Sequence, residues 1–123
     1  MKRGWVIALM SVAIAACEGG RTEHGYTVAT GGDAKRGAQV IRQFGCGGCH
    51  TIPGVRAANG LVGPPLQSFA LRTYIAGELP NTPENLVRWV LDPPAVEPGT
   101  AMPRLGLSVD QARDVAAYLY TLR

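Results

Sequence analysis

The sequence predicts an all-α domain of three to four modest helices joined by long loops. Helix-start signals stand at Asp33, at Thr82-Pro83 and at Ser108 with Gln111, and no segment alternates apolar and polar residues as a strand would. Between the starts, 16 Gly and 9 Pro among 123 residues punctuate the chain into turns. A hydrophobic content of 46% excludes a disordered chain, and the length leaves no room for a second folded domain.

The elements follow in order. Residues 1–16 read as a secretory signal: Met1, Lys2 and Arg3 form a cationic start, and the apolar run after them falls short of the ~20 residues that span a bilayer. Ile14-Ala15-Ala16-Cys17 resembles the lipobox of bacterial lipoproteins, which makes Cys17 the expected acylated first residue of the mature chain. Two or more acyl chains would hold it on a membrane without a spanning helix. Residues 17–32 are rich in Gly and polar groups and read as a lipid-anchored tether, leaving residues 33–123 as the folded domain.

The formal charge is +3, but cleavage after residue 16 leaves 10 basic against 9 acidic residues. A nucleic-acid partner therefore loses its electrostatic footing.

Asp33 is the expected N-cap of a first helix whose Gly37, Val40, Ile41 and Phe44 recur at helical spacing up to Gly45. Residues 51–65 read as a loop, and residues 66–80 as an ambiguous stretch with a short helix around 68–76. Thr82-Pro83 starts the next helix, which Pro93-Pro94 should end at Asp92. Ser108 and Gln111 form a capping box, after which Ala112, Val115, Ala116, Leu119 and Leu122 mark a buried stripe to the C-terminus. So few helices bury little apolar surface, and the fold needs a core supplied from outside.

Cys46-Gly47-Gly48-Cys49-His50 is the most specific feature of the chain. Two thiols at this spacing with His directly after them form a haem-attachment pattern, the thiols adding to the haem vinyl groups and the His ligating iron. The two glycines let the backbone turn tightly between the bonds. A redox C-x-x-C would want a βαβ context that is missing, and a zinc site would need a fourth ligand that only His24 offers. For the opposite iron face the mature chain holds one Met, Met102, besides His24 and Lys35. A lone Met is usually a core gap-filler, yet one between Pro and Gly residues in a loop packs poorly, which favours Met102 as ligand.

With these motifs the chain resembles a class I monohaem cytochrome c over residues 33–123. The resemblance implies that fold around one covalently bound haem c, with Gly37 and Ile41 of the first helix packing against Tyr118 of the last. Gly63-Pro64-Pro65-Leu66 matches the family's Gly-Pro-x-Leu, which makes the Pro64 carbonyl the acceptor of the His50 Nδ1 proton and packs Leu66 on the haem. Trp89 falls where the family often sets an aromatic residue against the haem, with an ordinary core Trp as the equal alternative. Arg72 is a weaker candidate for a propionate partner, since a lone Arg is usually a solvated surface residue.

Residues 79–102 are similar to the cytochrome c domain of caa-type oxidase subunit II. The implied function is one-electron transfer without catalysis in a respiratory chain, through haem c ligated by His50 and Met102, at a positive potential. The expected partners are a cytochrome oxidase or a quinol-oxidising complex, and the domain is expected to be monomeric. The expected location is the outer face of the bacterial cytoplasmic membrane or the periplasm, where the tether raises the effective concentration near membrane partners. Lys35 is the one lysine of the folded part, so docking should be apolar and weakly salt dependent. The alternatives are a peroxidase-like haem enzyme or gas sensor with an open axial site, and a bound subunit of a larger dehydrogenase or oxidase.

Overall fold

The computed structural model describes residues 28–123. The expected signal segment, Cys17, His24 and residues 17–27 of the tether lie outside the described residues. Among those described, no helix is long and apolar enough to cross a membrane.

Helix α1 spans Ala34–Gln43 and starts where the sequence indicates, the Asp33 carboxylate accepting the Arg36 amide at 2.8 Å. Helix α2, Pro83–Leu91, is capped by the Thr82 hydroxyl, with Pro83 in the first turn where its missing N–H has no cost. Helix α4, Val109–Leu119, carries the full capping box between Ser108 and Gln111, with bonds of 3.2 and 2.9 Å. It ends before the expected stripe does: Leu122 lies beyond it, partly buried against the core, and its carbonyl accepts the Ala70 amide at 2.9 Å.

One expectation is corrected. Residues 68–76 do not form a helix; a 3-10 turn over Phe69–Leu71 leads into a hairpin of β1, Tyr74–Ile75, and β2, Leu79–Pro80. Ser68 sits in the left-handed region at φ 54°, Arg72 is extended, and Ala76 and Gly77 both have positive φ, the pattern of a type I′ hairpin turn. Pro93-Pro94 ends α2 with Asp92 as its C-cap, as expected. It also opens α3, Pro93–Val96, which Asp92 caps through its side chain at 3.3 Å.

Ordered packing also reaches upstream of Asp33. Val28 lies against the core, Thr30 is buried, and its hydroxyl accepts the Gly32 amide at 3.1 Å.

The main contact of the fold is α1 against α4. A methyl at Gly37 would lie 2.0 Å from the Asp114 carbonyl oxygen and 2.9 Å from Tyr118 Cβ, so only glycine permits this approach. The expected partnership of Gly37 with Tyr118 is thereby seen, and Ile41, Ala112 and Ala116 are almost fully buried. The Asp114 carboxylate, itself buried, accepts the Asp33 amide at 2.7 Å and the Arg36 guanidinium at 2.9 Å through both Nε and Nη2. Tyr118 donates from its hydroxyl to the Pro53 carbonyl at 2.6 Å and so pins the loop after the CGGCH motif to α4.

Candidate functional site

Helix α1 delivers the chain to the CGGCH motif. Phe44 closes the helix, Gly45 turns the backbone at φ 71°, and Cys46–Gly48 form one 3-10 turn, with the His50 amide bonded to the Cys46 carbonyl at 3.0 Å. The turn depends on Gly45 rather than on positive φ at Gly47 or Gly48. Gly47 serves a different need: a methyl there would sit 2.6 Å from Ala58 Cα, against the returning loop.

That loop is stitched around the motif. Gly60 and Gly63 amides donate to the Gly47 and Cys49 carbonyls at 3.0 and 2.8 Å, and Leu66 donates to Thr51 at 2.8 Å. The result sets Pro64 opposite the imidazole, and His50 Nδ1 lies 2.7 Å from the Pro64 carbonyl oxygen, as the resemblance implies. With Nδ1–H donating, the lone pair of Nε2 is left free for a metal.

His50, Cys46 and Cys49 line a cavity of about 620 Å³ that runs through the middle of the fold. Its walls are mostly apolar and come from all parts of the domain, including Ile41, Ile52, Phe69, Leu86, Val90 and Leu107. A mostly apolar concavity of this size is suited to a large apolar guest. Two thiols with an imidazole at one wall fit haem c.

Burial pushes the Cys46 thiol above its ordinary pKa, with a smaller contribution from Cys49, whereas a redox-active pair needs a lowered one. No cluster of three or more His, Cys, Asp or Glu side chains suited to a metal ion exists among the described residues.

The other expected site residues are brought to the same cavity. Met102, Trp89 and Leu66 line it, half-buried, and Leu66 also packs on the core. Arg72 lines it too, but its guanidinium is engaged: it donates to the Pro65 carbonyl and, at 3.4 Å, to the Gln67 carbonyl, and lies 5.4 Å from the Phe69 ring centre. It braces the loop that carries Pro64, a role sequence reasoning missed.

Sequence reasoning also missed Tyr74, Glu97 and Thr100, which line the cavity. The signal for Thr100 was its place two residues before Met102, where its hydroxyl accepts the Met102 amide at 3.1 Å.

Comparison with known proteins agrees with this site. The family model described as "Cytochrome c" matches residues 34–123. "Cytochrome c oxidase subunit 2" of Alkalihalophilus pseudofirmus is 36% identical over 91 residues, which is 73% of this chain and 26% of that protein. The protein of the same name from Bacillus sp. strain PS3 is 34% identical over 94 residues, again 73% of this chain and 26% of the relative. "Cytochrome c-type cyt cy" of Rhodobacter capsulatus is 37% identical over 101 residues, covering 74% of this chain and 50% of that protein. The chain thus spans about a quarter of the oxidase subunits and half of the cytochrome it matches.

Proposed function

The chain belongs to the cytochrome c family and carries covalently bound haem c, and from that premise we propose that it is a membrane-tethered one-electron carrier of a respiratory chain, passing electrons towards a terminal oxidase. The observation that carries the proposal is the placement of His50 and Met102 on one apolar cavity, with His50 Nδ1 tied to the Pro64 carbonyl. Bound haem supplies one-electron exchange at iron.

The residues of the chain do the rest. Cys46 and Cys49 would hold the macrocycle, and His50 through Nε2 and Met102 through its thioether would hold the metal. With both His50 and Met102 bound to it, the metal would have no place left for oxygen or substrate, which separates a carrier from a haem enzyme. A thioether ligand and the apolar wall both disfavour the extra positive charge of ferric iron and raise the potential. Arg72, at the cavity wall with donors beyond those given to Pro65 and Gln67, is the proposed propionate partner.

Docking is proposed to be apolar. Leu61 and Val62 are 88% and 78% exposed, and Val62 and Leu105 combine exposure with a place on the cavity wall, giving an apolar rim at its mouth. The similarity to oxidase subunits supports an oxidase as acceptor. Lipid anchoring through Cys17, at the outer face of the cytoplasmic membrane, rests on the lipobox-like segment.

Intact mass together with a spectrum of the purified protein tests the reading. The expected result is one covalent haem, an acylated Cys17 as first residue, and a thioether-to-iron charge-transfer band in the oxidised form. A colourless folded protein, or ready carbon monoxide binding by the reduced form, would overturn it.

A further inference from the structure

We propose that Glu97 is a positioning residue for Met102, holding the loop that presents the thioether; this rests on the reading of Met102 as axial ligand. Between the end of α3 at Val96 and the start of α4 no regular element supports the chain, and ordering such residues costs backbone entropy. Beyond Met102, Arg104 pairs with Asp92 at 3.6 Å and Leu107 is buried in the core, which leaves the stretch before Met102 to be held from within. Pro98 and Pro103 flank the Met and carry no N–H, so the available donors are few.

Glu97 binds with both its backbone groups and its side chain. Its amide donates to the Pro93 carbonyl at 2.9 Å, which fastens it to the first turn of α3. Its carbonyl accepts the Thr100 amide at 3.0 Å, and its Oε1 accepts the Gly99 amide at 2.9 Å. Thr100 then passes the constraint on, its hydroxyl accepting the Met102 amide at 3.1 Å. Four bonds therefore run from α3 through Glu97 and Thr100 to the backbone of Met102. The side-chain acceptors within this relay are Glu97, which is half-buried and lines the cavity, and Thr100.

The chemistry separates position from charge. Glutamine at 97 keeps a carbonyl oxygen for the Gly99 amide but loses the negative charge, whereas alanine loses both. A positioning role therefore predicts that E97Q resembles the unaltered protein and E97A does not; a purely electrostatic role predicts that the two variants behave alike.

The experiment uses the full holoprotein and reads the charge-transfer band of the oxidised form, the rate of carbon monoxide binding to the reduced form, and hydrogen exchange at the Gly99 amide. E97A is expected to weaken the band, to bind carbon monoxide roughly 3- to 10-fold faster, and to exchange the Gly99 amide faster by a similar factor, while E97Q leaves all three nearly unchanged. T100V, lacking the acceptor for the Met102 amide, is expected to change the first two in the same direction. If E97A does not mature, E97D, whose carboxylate falls a methylene short of Gly99, replaces it in the comparison. Equal behaviour of E97A and E97Q, or an unchanged band and carbon monoxide rate in E97A, would overturn the proposal. An unaltered protein without the band would instead remove Met102 as ligand, and the proposal with it.

Discussion

His50 and Gly63 fit together so closely that a methyl on Gly63 would lie 2.3 Å from His50 Cε1 and 2.7 Å from Nδ1. The imidazole is thus held by the Pro64 carbonyl at Nδ1 and by the close approach of the Gly63 backbone, which has no side chain to offer. Replacing Gly63 by alanine is expected to rotate the ring off Pro64. The measurable outcome is a weakened or lost Nδ1–H signal in the NMR spectrum, a shifted reduction potential and a lower yield of holoprotein. A G63A protein with unchanged potential and Nδ1–H signal would show that the ring has room to spare.

The α1–α4 crossing makes a second prediction. Gly37→Ala must push the helices apart, since its methyl would meet the Asp114 carbonyl at 2.0 Å and backbone cannot swing aside as a flexible side chain would. Overpacking of this kind costs about 1–3 kcal/mol or more. The check is the midpoint of denaturant unfolding of the holoprotein, which should fall while the haem spectrum at low denaturant stays the same.

Local signals explain what could be read from the sequence. Asp33, Thr82 and Ser108 cap the helices they announce, because capping is a bond within three residues. The CGGCH motif and the Gly-Pro-x-Leu match placed His50 and Pro64 for the same reason: each is a short, contiguous pattern. The hairpin escaped because its strands are only two residues long and its turn puts Ala76, not Asn or Asp, at positive φ. The restart at α3 escaped because Pro93 and Asp92 each carry two meanings, end and beginning, and the side chain of Asp92 decides between them. Arg72 was read for its charge, yet its geometry is set by carbonyls of Pro65 and Gln67 that no periodicity reveals. Asp114 lies 81 positions from Asp33, and only the assembled fold shows their bond.

Asp114 gives the domain an acid limit. The hydrogen bond from Arg36 holds its carboxyl below the usual value of 3.8, helped by the Asp33 amide and opposed by burial. A carboxyl with a lowered folded pKa contributes stability that is present above the unfolded value and is lost as pH falls through the folded one. The α1–α4 clamp should therefore hold from neutral pH down to about pH 4 and loosen below it. Asp114→Asn keeps the shape but turns an N–H toward a donor, at a cost of roughly 1–3 kcal/mol at pH 7. Measured against pH, the stability of the variant should converge on that of the unaltered protein in acid. Parallel curves would mean that the carboxylate contributes nothing through its charge.

Tyr120 sets a limit at the opposite end of the pH scale. Its hydroxyl donates to Asn81 Oδ1 at 2.8 Å, and Asn81 in turn donates to the Phe69 and Arg72 carbonyls at 3.1 and 3.0 Å. The rings of Tyr120 and Phe69 meet edge to face at 6.0 Å, so one network joins α4 to the segment that forms a wall of the haem cavity. Burial, with a smaller contribution from Glu84, pushes the Tyr120 phenol from 10.0 up to about 12. A group whose folded pKa is raised contributes stability that is complete below the unfolded value and disappears as pH rises through the folded one. The unaltered protein should thus lose stability between pH 10 and about 12, in the window set by the two values. Tyr120→Phe removes both the titration and the bond to Asn81: stability at pH 7 should fall by about 1 kcal/mol, and its dependence on pH in the alkaline window should flatten. Denaturant titrations of both proteins at pH 7, 10 and 12 measure the difference, and an equally steep alkaline loss in Y120F would assign that loss to other groups.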